Sequence, residues 1–463
     1  MRRAGPMSRD AVFAAVLVGG LALGLVADAS SRDLDPPGLE PPPGRYSVTS
    51  LHCVPPLKGL DARGTVSVAS TTPAQSIEVV TAPSATPAAL LPERTVTQRQ
   101  GPEPLEVVGY GGAPAASATV DTASPEGSGA AACADRASTE WYFAEGSSEL
   151  GFDQRYVIHN PFPDEAVVRV TMYTPDGASV KANLDDVPVP ARSWVELRVN
   201  DFVRLQPLLA AKIEVVERGR VVAWRVLAAH SDDQPAGVQL ALGAREPSLT
   251  WYFPDGEVGA GFDERIAIVN PSTEEAIVNV SLGTGVKTVQ PPKLFGLEIP
   301  PGSARRVSLP NALAGRQRSL GGVSAVVSSS NGVPVVAERT VWYSTDALRG
   351  VASEVGAPDT ALEWIVGPPV AIAARDSVIV FNPGTAAVTV DVAVYPADGE
   401  ARRRAGISVP IGARVEIPLM ELTHGRPVVV AVSASGGVVV ERVAYSEETE
   451  DPAALMGVTR TGR

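Results

Sequence analysis

From residue 46 onward, apolar and polar side chains alternate with a period of two in short runs, and no stretch sustains the 3.6-residue stripe of a helix. Val, Ile and Thr fill these runs, and the breaks between them hold Pro, Gly, Asn and Asp, as at Pro175-Asp176-Gly177. Between Trp141 and Ala228 the pattern predicts strands near Trp141–Phe143, Arg155–His159, Ala166–Tyr173, Ser179–Leu184, Ser193–Val199, Ala211–Val216 and Val221–Ala228. Roughly seven strands in about 105–110 residues, without helices, predict an all-β fold of immunoglobulin-like β-sandwich modules. A propeller blade would hold four strands in about 40–50 residues, so the units are too long for blades.

One run has a different character. Ala11 to Ala27 carries no charge, follows Arg2, Arg3 and Arg9, and precedes Asp28, Asp33 and Asp35. It sits at the short limit of a membrane span, about 17–25 residues, and its flanks place the amino end in the cytoplasm. Ala27-Asp28-Ala29 also suits signal-peptidase cleavage. Retained anchor and cleaved signal both stay open, and either exports the bulk of the chain, to a membrane-tethered or a secreted location. Residues 30–45, with five prolines, read as an extended spacer.

The chain repeats itself. Trp141-Tyr142-Phe143-Ala144-Glu145-Gly146 returns as Trp251-Tyr252-Phe253-Pro254-Asp255-Gly256, and Asn160-Pro161 returns as Asn270-Pro271, each 110 residues on. A third copy opens at Trp364 and reaches Asn382-Pro383. Val189-Pro190, Ile299-Pro300 and Val409-Pro410 mark the middle of each copy, and Arg225, Arg339 and Arg442 stand in its closing strand. The copies span 139–247, 248–358 and 359–463. Residues 46–138 read as a shorter, degenerate fourth copy, in which Leu51-His52-Cys53 takes the place of Trp-Tyr-Phe. There Leu105 to Ser117 looks like the paired closing strands, turning at Gly111-Gly112.

The Trp-Tyr-Phe-x-x-Gly, Asn-Pro and Pro-Asp-Gly series resembles an actinobacterial family of secreted or membrane-anchored proteins, the domain of unknown function 5719 type. That resemblance covers roughly Tyr46 to the carboxyl end, Cys53 and Cys133 included. It implies export and supplies no activity.

Two cysteines in an exported chain are most simply one disulfide, and Cys53–Cys133 would close the first copy. Asp153 and Asp263 could be offered as a glycosidase pair. A residue that recurs at one place in successive copies answers a folding need instead, such as a turn cap or a pair with the closing-strand arginine. The third copy departs, with Arg375-Asp376 there. Each of Arg225, Arg339 and Arg442 is expected to be covered and paired. Asn160, Asn270 and Asn382 should end strands, because Pro has no N–H and holds its predecessor extended. Trp141, Trp251 and Trp364 could stack on sugars if exposed, but a Trp opening a strand usually packs in a core or between domains.

His52, His159, His230 and His424 lack the spacing of a zinc site, and no Gly-x-Ser-x-Gly elbow is present. Pro175-Asp176-Gly177 and Pro396-Ala397-Asp398-Gly399 read as hairpins, since no Asp-rich loop would complete a calcium shell. No cofactor or metal site is expected. Lys and Arg total 39 against 52 Asp and Glu, a net charge of -13, which argues against nucleic acid and against docking on anionic lipid. The 43 Gly and 41 Pro fall short of a low-complexity chain. The sequence therefore predicts a non-catalytic structural or binding protein of the cell envelope, with an envelope glycan or protein as partner. The alternative is a carbohydrate-active enzyme, or its accessory subunit, with carboxylates in an inter-domain cleft.

Overall fold

The computed structural model describes residues 48–69, 76–81, 84–88, 95–110, 114–230, 235–285, 288–313, 321–346, 348–369, 373–396, 400–446 and 452–459. Ala11–Ala27, the 30–45 spacer, Gly111-Gly112 and Ala397–Gly399 lie outside the described residues. Among the described residues no helix is long and apolar enough to cross a membrane. Residues 47–463 form one compact unit.

The unit is all-β, and its antiparallel sheets come in pairs. In residues 139–247 one sheet runs in the order Ser193–Arg198, Phe152–Asn160, Val222–Ala229, Gly237–Leu242. The facing sheet runs Gly177–Val180, Ala166–Thr174, Ala210–Val215, Glu140–Phe143, with Val187–Val189 also paired to Ala166–Thr174. Alternation works as expected in the outer sheet: Ala166, Val168, Val170 and Met172 are buried, while the residues between them are half-buried. Counted along the chain from residue 46, the third copy (248–358) repeats this order from Ser303–Ser308 to Arg349–Val355. In the fourth, one strand, Val429–Ser446, runs through both sheets.

Three expectations change. Ser179–Leu184 is a short strand, Gly177–Val180, followed by a 3-10 turn over Ala182–Leu184. Leu105–Tyr110 and Ala115–Ala123 do not pair with each other. The first joins the sheet of Val48–His52 and Ser76–Thr81, the second that of Ala62–Ala69 and Glu126–Ala132. Finally, the strand at Val221–Ala228 does not close its unit, because Gly237–Leu242 follows and pairs with it.

That overlooked strand organises the molecule. Its counterparts are Glu126–Ala132, Arg349–Val355 and Pro452–Met456. Glu126–Ala132 lies against Gly237–Leu242, which lies against Arg349–Val355, which lies against Pro452–Met456, and this last lies against Glu126–Ala132. The four copies thus close into a ring around these axial strands. Small side chains make the approach possible: a Cβ on Gly129 would sit 3.0 Å from the backbone of Leu240, and Ala130, Ala444 and Ala453 share one apolar cluster. Ring closure also explains why Val222–Ala229 is buried at every position. One face meets its own partner sheet and the other meets a neighbouring copy.

Candidate functional site

Buried charge collects where the copies meet. Arg225, Arg339 and Arg442 are covered almost completely, at 0%, 0% and 1% exposure. Arg225 Nη2 lies 2.5 Å from Glu338 Oε1 of the next copy, and Nη1 donates to the Glu145 carbonyl at 2.6 Å. Glu338 Oε2 accepts the Glu145 N–H at 2.9 Å, and the Glu145 carboxylate is gripped by Arg306 of the third copy. One junction on, Arg339 Nη2 donates to Glu441 Oε1 at 2.5 Å, and Glu441 Oε2 accepts the Asp255 N–H at 3.0 Å. Arg414 of the last copy holds Asp255 Oδ1 at 3.1 Å. The two acidic residues of the Trp-Tyr-Phe motifs, Glu145 and Asp255, are therefore latch points for the following copy.

The other two junctions use different chemistry. Glu196 of the second copy accepts the N–H groups of Lys58 and Gly59 at 2.7 and 3.2 Å, with Lys58 Nζ 4.0 Å over the Trp194 ring. Arg442 turns inward to Asp376, with Nε donating to Oδ1 at 2.8 Å and Nη2 to Oδ2 at 2.5 Å. Ala69, Ala115, Ile365 and Val429 then close the seam between the last copy and the first.

At the junction of copies three and four, carboxyls outnumber guanidiniums. Burial pushes Glu264 up to about 8 and Glu441 up to about 7, each against the pull of Arg339. Burial and Asp255 push Glu257 up to about 7. Burial works against the Arg339 cation, but Glu441, Asp255 and Glu264 more than offset it and raise its pKa. Across the first junction His52 and His159, far apart in sequence, stand with ring centroids 6.2 Å apart. Burial, reinforced by His52, brings His159 down to about 4, and burial lowers His52 too, against the pull of Glu106 and Asp135. Among the described residues no group of three or more side chains could hold a metal ion.

The repeated tryptophans are buried, and their ring N–H groups donate 2.7, 2.7 and 3.0 Å to the carbonyls of Val221, Val335 and Val438. Their rings are thus not available to stack on a sugar. Asn160, Asn270 and Asn382 stand at strand ends. Each Nδ2 bridges backbone carbonyls: Asp164 and Val189 for Asn160, Glu274, Ile299 and Pro300 for Asn270, and Ala386, Val409 and Pro410 for Asn382. Asp153 and Asp263 are not partners of Arg225 and Arg339. Asp153 binds Arg155 and Arg198, and Asp263 binds Arg265. Strand register aligns Arg375 with these aspartates and Asp376 with Gln154 and Glu264.

Cys53 and Cys133 form a disulfide. Register aligns Cys53 with Phe143 and Phe253, and Cys133 with Gly243 and Gly356. In those copies the Phe ring lies on the glycine so closely that an added Cβ would be 2.9 and 2.7 Å from it. The disulfide occupies the place of this ring-on-glycine contact.

Sequence reasoning missed Glu145, Asp255, Glu338 and Glu441 as partners. A signal was available in Glu338-Arg339 and Glu441-Arg442, where a charge pair interrupts an otherwise apolar strand.

Comparison with known families adds a match to the model described as "Family of unknown function (DUF5719)", over residues 106–347 and again over 318–451. The chain belongs to this family. None of the curated proteins matches it. Among solved structures, Thermotoga maritima 1070 is similar at 20% identity, covering 24% of this chain and 95% of its own, with a TM-score of 0.21. The Anabaena sensory rhodopsin transducer is similar at 19% identity over 20% of this chain and 96% of its own, with a TM-score of 0.17. For this DUF5719 member the function is read from the latches, since these likenesses carry no activity.

Proposed function

We propose that the chain is a non-catalytic structural component of the cell envelope: four β-sandwich modules (46–138, 139–247, 248–358 and 359–463) closed into a ring. The Ala11–Ala27 segment would place the ring outside the cytoplasmic membrane, as an anchor or a cleaved signal. The observation behind this reading is the use of charge. Arg225, Glu338, Arg339 and Glu441 are all 0% exposed and join one copy to the next, which favours a rigid body over separately mobile beads. The tryptophans that could have served a glycan are also inside, so an envelope protein is the better partner. A glycosidase would need two carboxylates flanking an open cleft, whereas Asp153 and Asp263 lie in the sheets of different copies, each tied by an arginine of its own sheet.

The test is retention of the full chain, in detergent, on cell-wall polysaccharide and on immobilised envelope proteins. A specific co-purifying envelope protein with no polysaccharide retention supports the scaffold. Saturable polysaccharide binding, or hydrolysis of it, overturns the reading.

A further inference from the structure

At one end of the ring axis lies a cavity of about 350 Å³, and all four copies build it at equivalent positions. Cys133, Gly243, Gly356 and Gly457, each just beyond an axial strand, form its wall. Its size is at the lower end of the range for small-molecule sites, roughly 300–1,000 Å³. The copies differ in the charged residues they contribute. Asp135, Glu246, Glu354 and Asp359 face Arg136 and Arg245, and Arg245 is already tied to Asp135 at 2.6 Å.

Glu354 sets this cup apart. It is 8% exposed, lies on the cavity wall, and its Oε2 has no hydrogen-bond partner in the protein. The Met456 N–H serves the carboxyl group, while Glu441 and Glu338 add negative charge and Arg339 is the nearby cation. A buried acceptor left without a donor is unfavourable, and more so when the group is charged. A ligand that brings N–H donors and positive charge would remove that penalty. Leu242, Val355 and Met456 line the same cavity and suit a hydrocarbon stem. With no cluster of metal-ligating side chains among the described residues, an organic cation fits better than a metal ion.

We propose that the axial cup is a binding site for a small organic cation, an alkylammonium or diamine, anchored on Glu354. Burial raises the Glu354 carboxyl well above the ordinary range, which favours a bound proton in the empty cup, whereas an arriving ammonium group favours its release.

The probe is 1,5-diaminopentane, titrated calorimetrically into the full-length protein in two buffers of different ionisation enthalpy, with 1,5-pentanediol as the neutral control. Saturable binding at one site per chain is expected, with proton release and none of either for the diol. Glu354→Gln should weaken the diamine at least tenfold and abolish proton release. Far-UV circular dichroism and an unchanged melting profile would show that the variant keeps its fold. Binding of the diol as tight as that of the diamine, unchanged affinity in Glu354→Gln, or no saturation by about 10 mM would each overturn the site. None of these outcomes touches the scaffold reading, which rests on the latches.

Discussion

The Arg225–Glu338 latch gives the sharpest test of how the ring is held. Arg225→Met leaves Glu338 fully buried, with the Glu145 N–H and the Ser353 hydroxyl as donors but no cation. Glu338→Leu leaves the guanidinium with the Glu145 carbonyl, Gln239 and Ser353, and no anion within the pair. Removing one member of a buried pair destabilises by about 3–5 kcal/mol, because the remaining charge is desolvated without compensation. Replacing both with apolar groups of similar volume is often neutral or stabilising. The double variant Arg225→Met/Glu338→Leu should therefore recover most of either single loss, with a coupling energy of at least about 3 kcal/mol. Urea unfolding followed by both tryptophan fluorescence and far-UV circular dichroism measures this, provided the two transitions coincide. Single variants within about 1 kcal/mol of the parent, or a double variant equal to the sum of the singles, would refute the reasoning. The pair would then be incidental to closure.

Three further outcomes follow from the other contacts. Cys53→Ala/Cys133→Ala should lose about 4–5 kcal/mol by the loop-entropy model, while Cys53→Phe/Cys133→Gly should recover part of it by rebuilding the ring-on-glycine contact of the other copies; equal unfolding midpoints for the two variants would reject the equivalence. Asn270→Ala should cost about 2–3 kcal/mol by leaving buried backbone carbonyls unpaired, and Asn270→Asp should cost more at pH 7 because it sets an anion against the Glu274 and Ile299 carbonyls; the reverse order in thermal melts would refute this. Stability should fall from both sides of pH: Glu264, raised to about 8, contributes stability that is full below about 4.5 and lost as pH rises through 8, whereas His159, lowered to about 4, contributes stability that is present above 6.5 and lost as pH falls through 4. Glu264→Gln should flatten only the alkaline side, as read from urea midpoints across pH.

Much of this was legible in the chain, and the gaps have physical causes. Period-two patterning gave the outer strands because one face is wet, as in Ala166–Thr174. Asn-Pro revealed its role because the strand end is marked locally, with Asn160 bonding Asp164 four positions on, although its second carbonyl, Val189, is 29 positions away. The axial strands escaped notice because they are packed on both faces and built from small residues. Glu126–Ala132 reads EGSGAAA, with neither alternation nor β-branched side chains to mark it. The arginines were identifiable as buried and paired, but not their partners. Arg225 and Glu338 are 113 positions apart, and only ring closure brings them together.

The degenerate first copy acquires a reason from the same geometry. Register places Ala118 where the other copies have Arg225, Arg339 and Arg442, Ser117 where they have Trp224, Glu338 and Glu441, and Gly64 where they have Gln154, Glu264 and Asp376. These three positions of the latch strands are reduced to small residues here. The neighbours compensate on both sides. Trp224 is fully buried in an apolar cluster that also holds first-copy residues, and Arg442 finds Asp376 within its own copy instead of an acid across the seam. Against Ser117 the last copy presents Gly367, where a Cβ would sit 1.8 Å from the hydroxyl oxygen. A tandem chain needs covalent continuity at only three of its four junctions, and the fourth must close between the first copy and the last. Small apolar contacts close that seam without requiring two distant charges to be desolvated together during folding, and the disulfide stiffens the copy that has the fewest large side chains to pack. The loss of repeat landmarks before residue 139 is thus the mark of where the ring is joined.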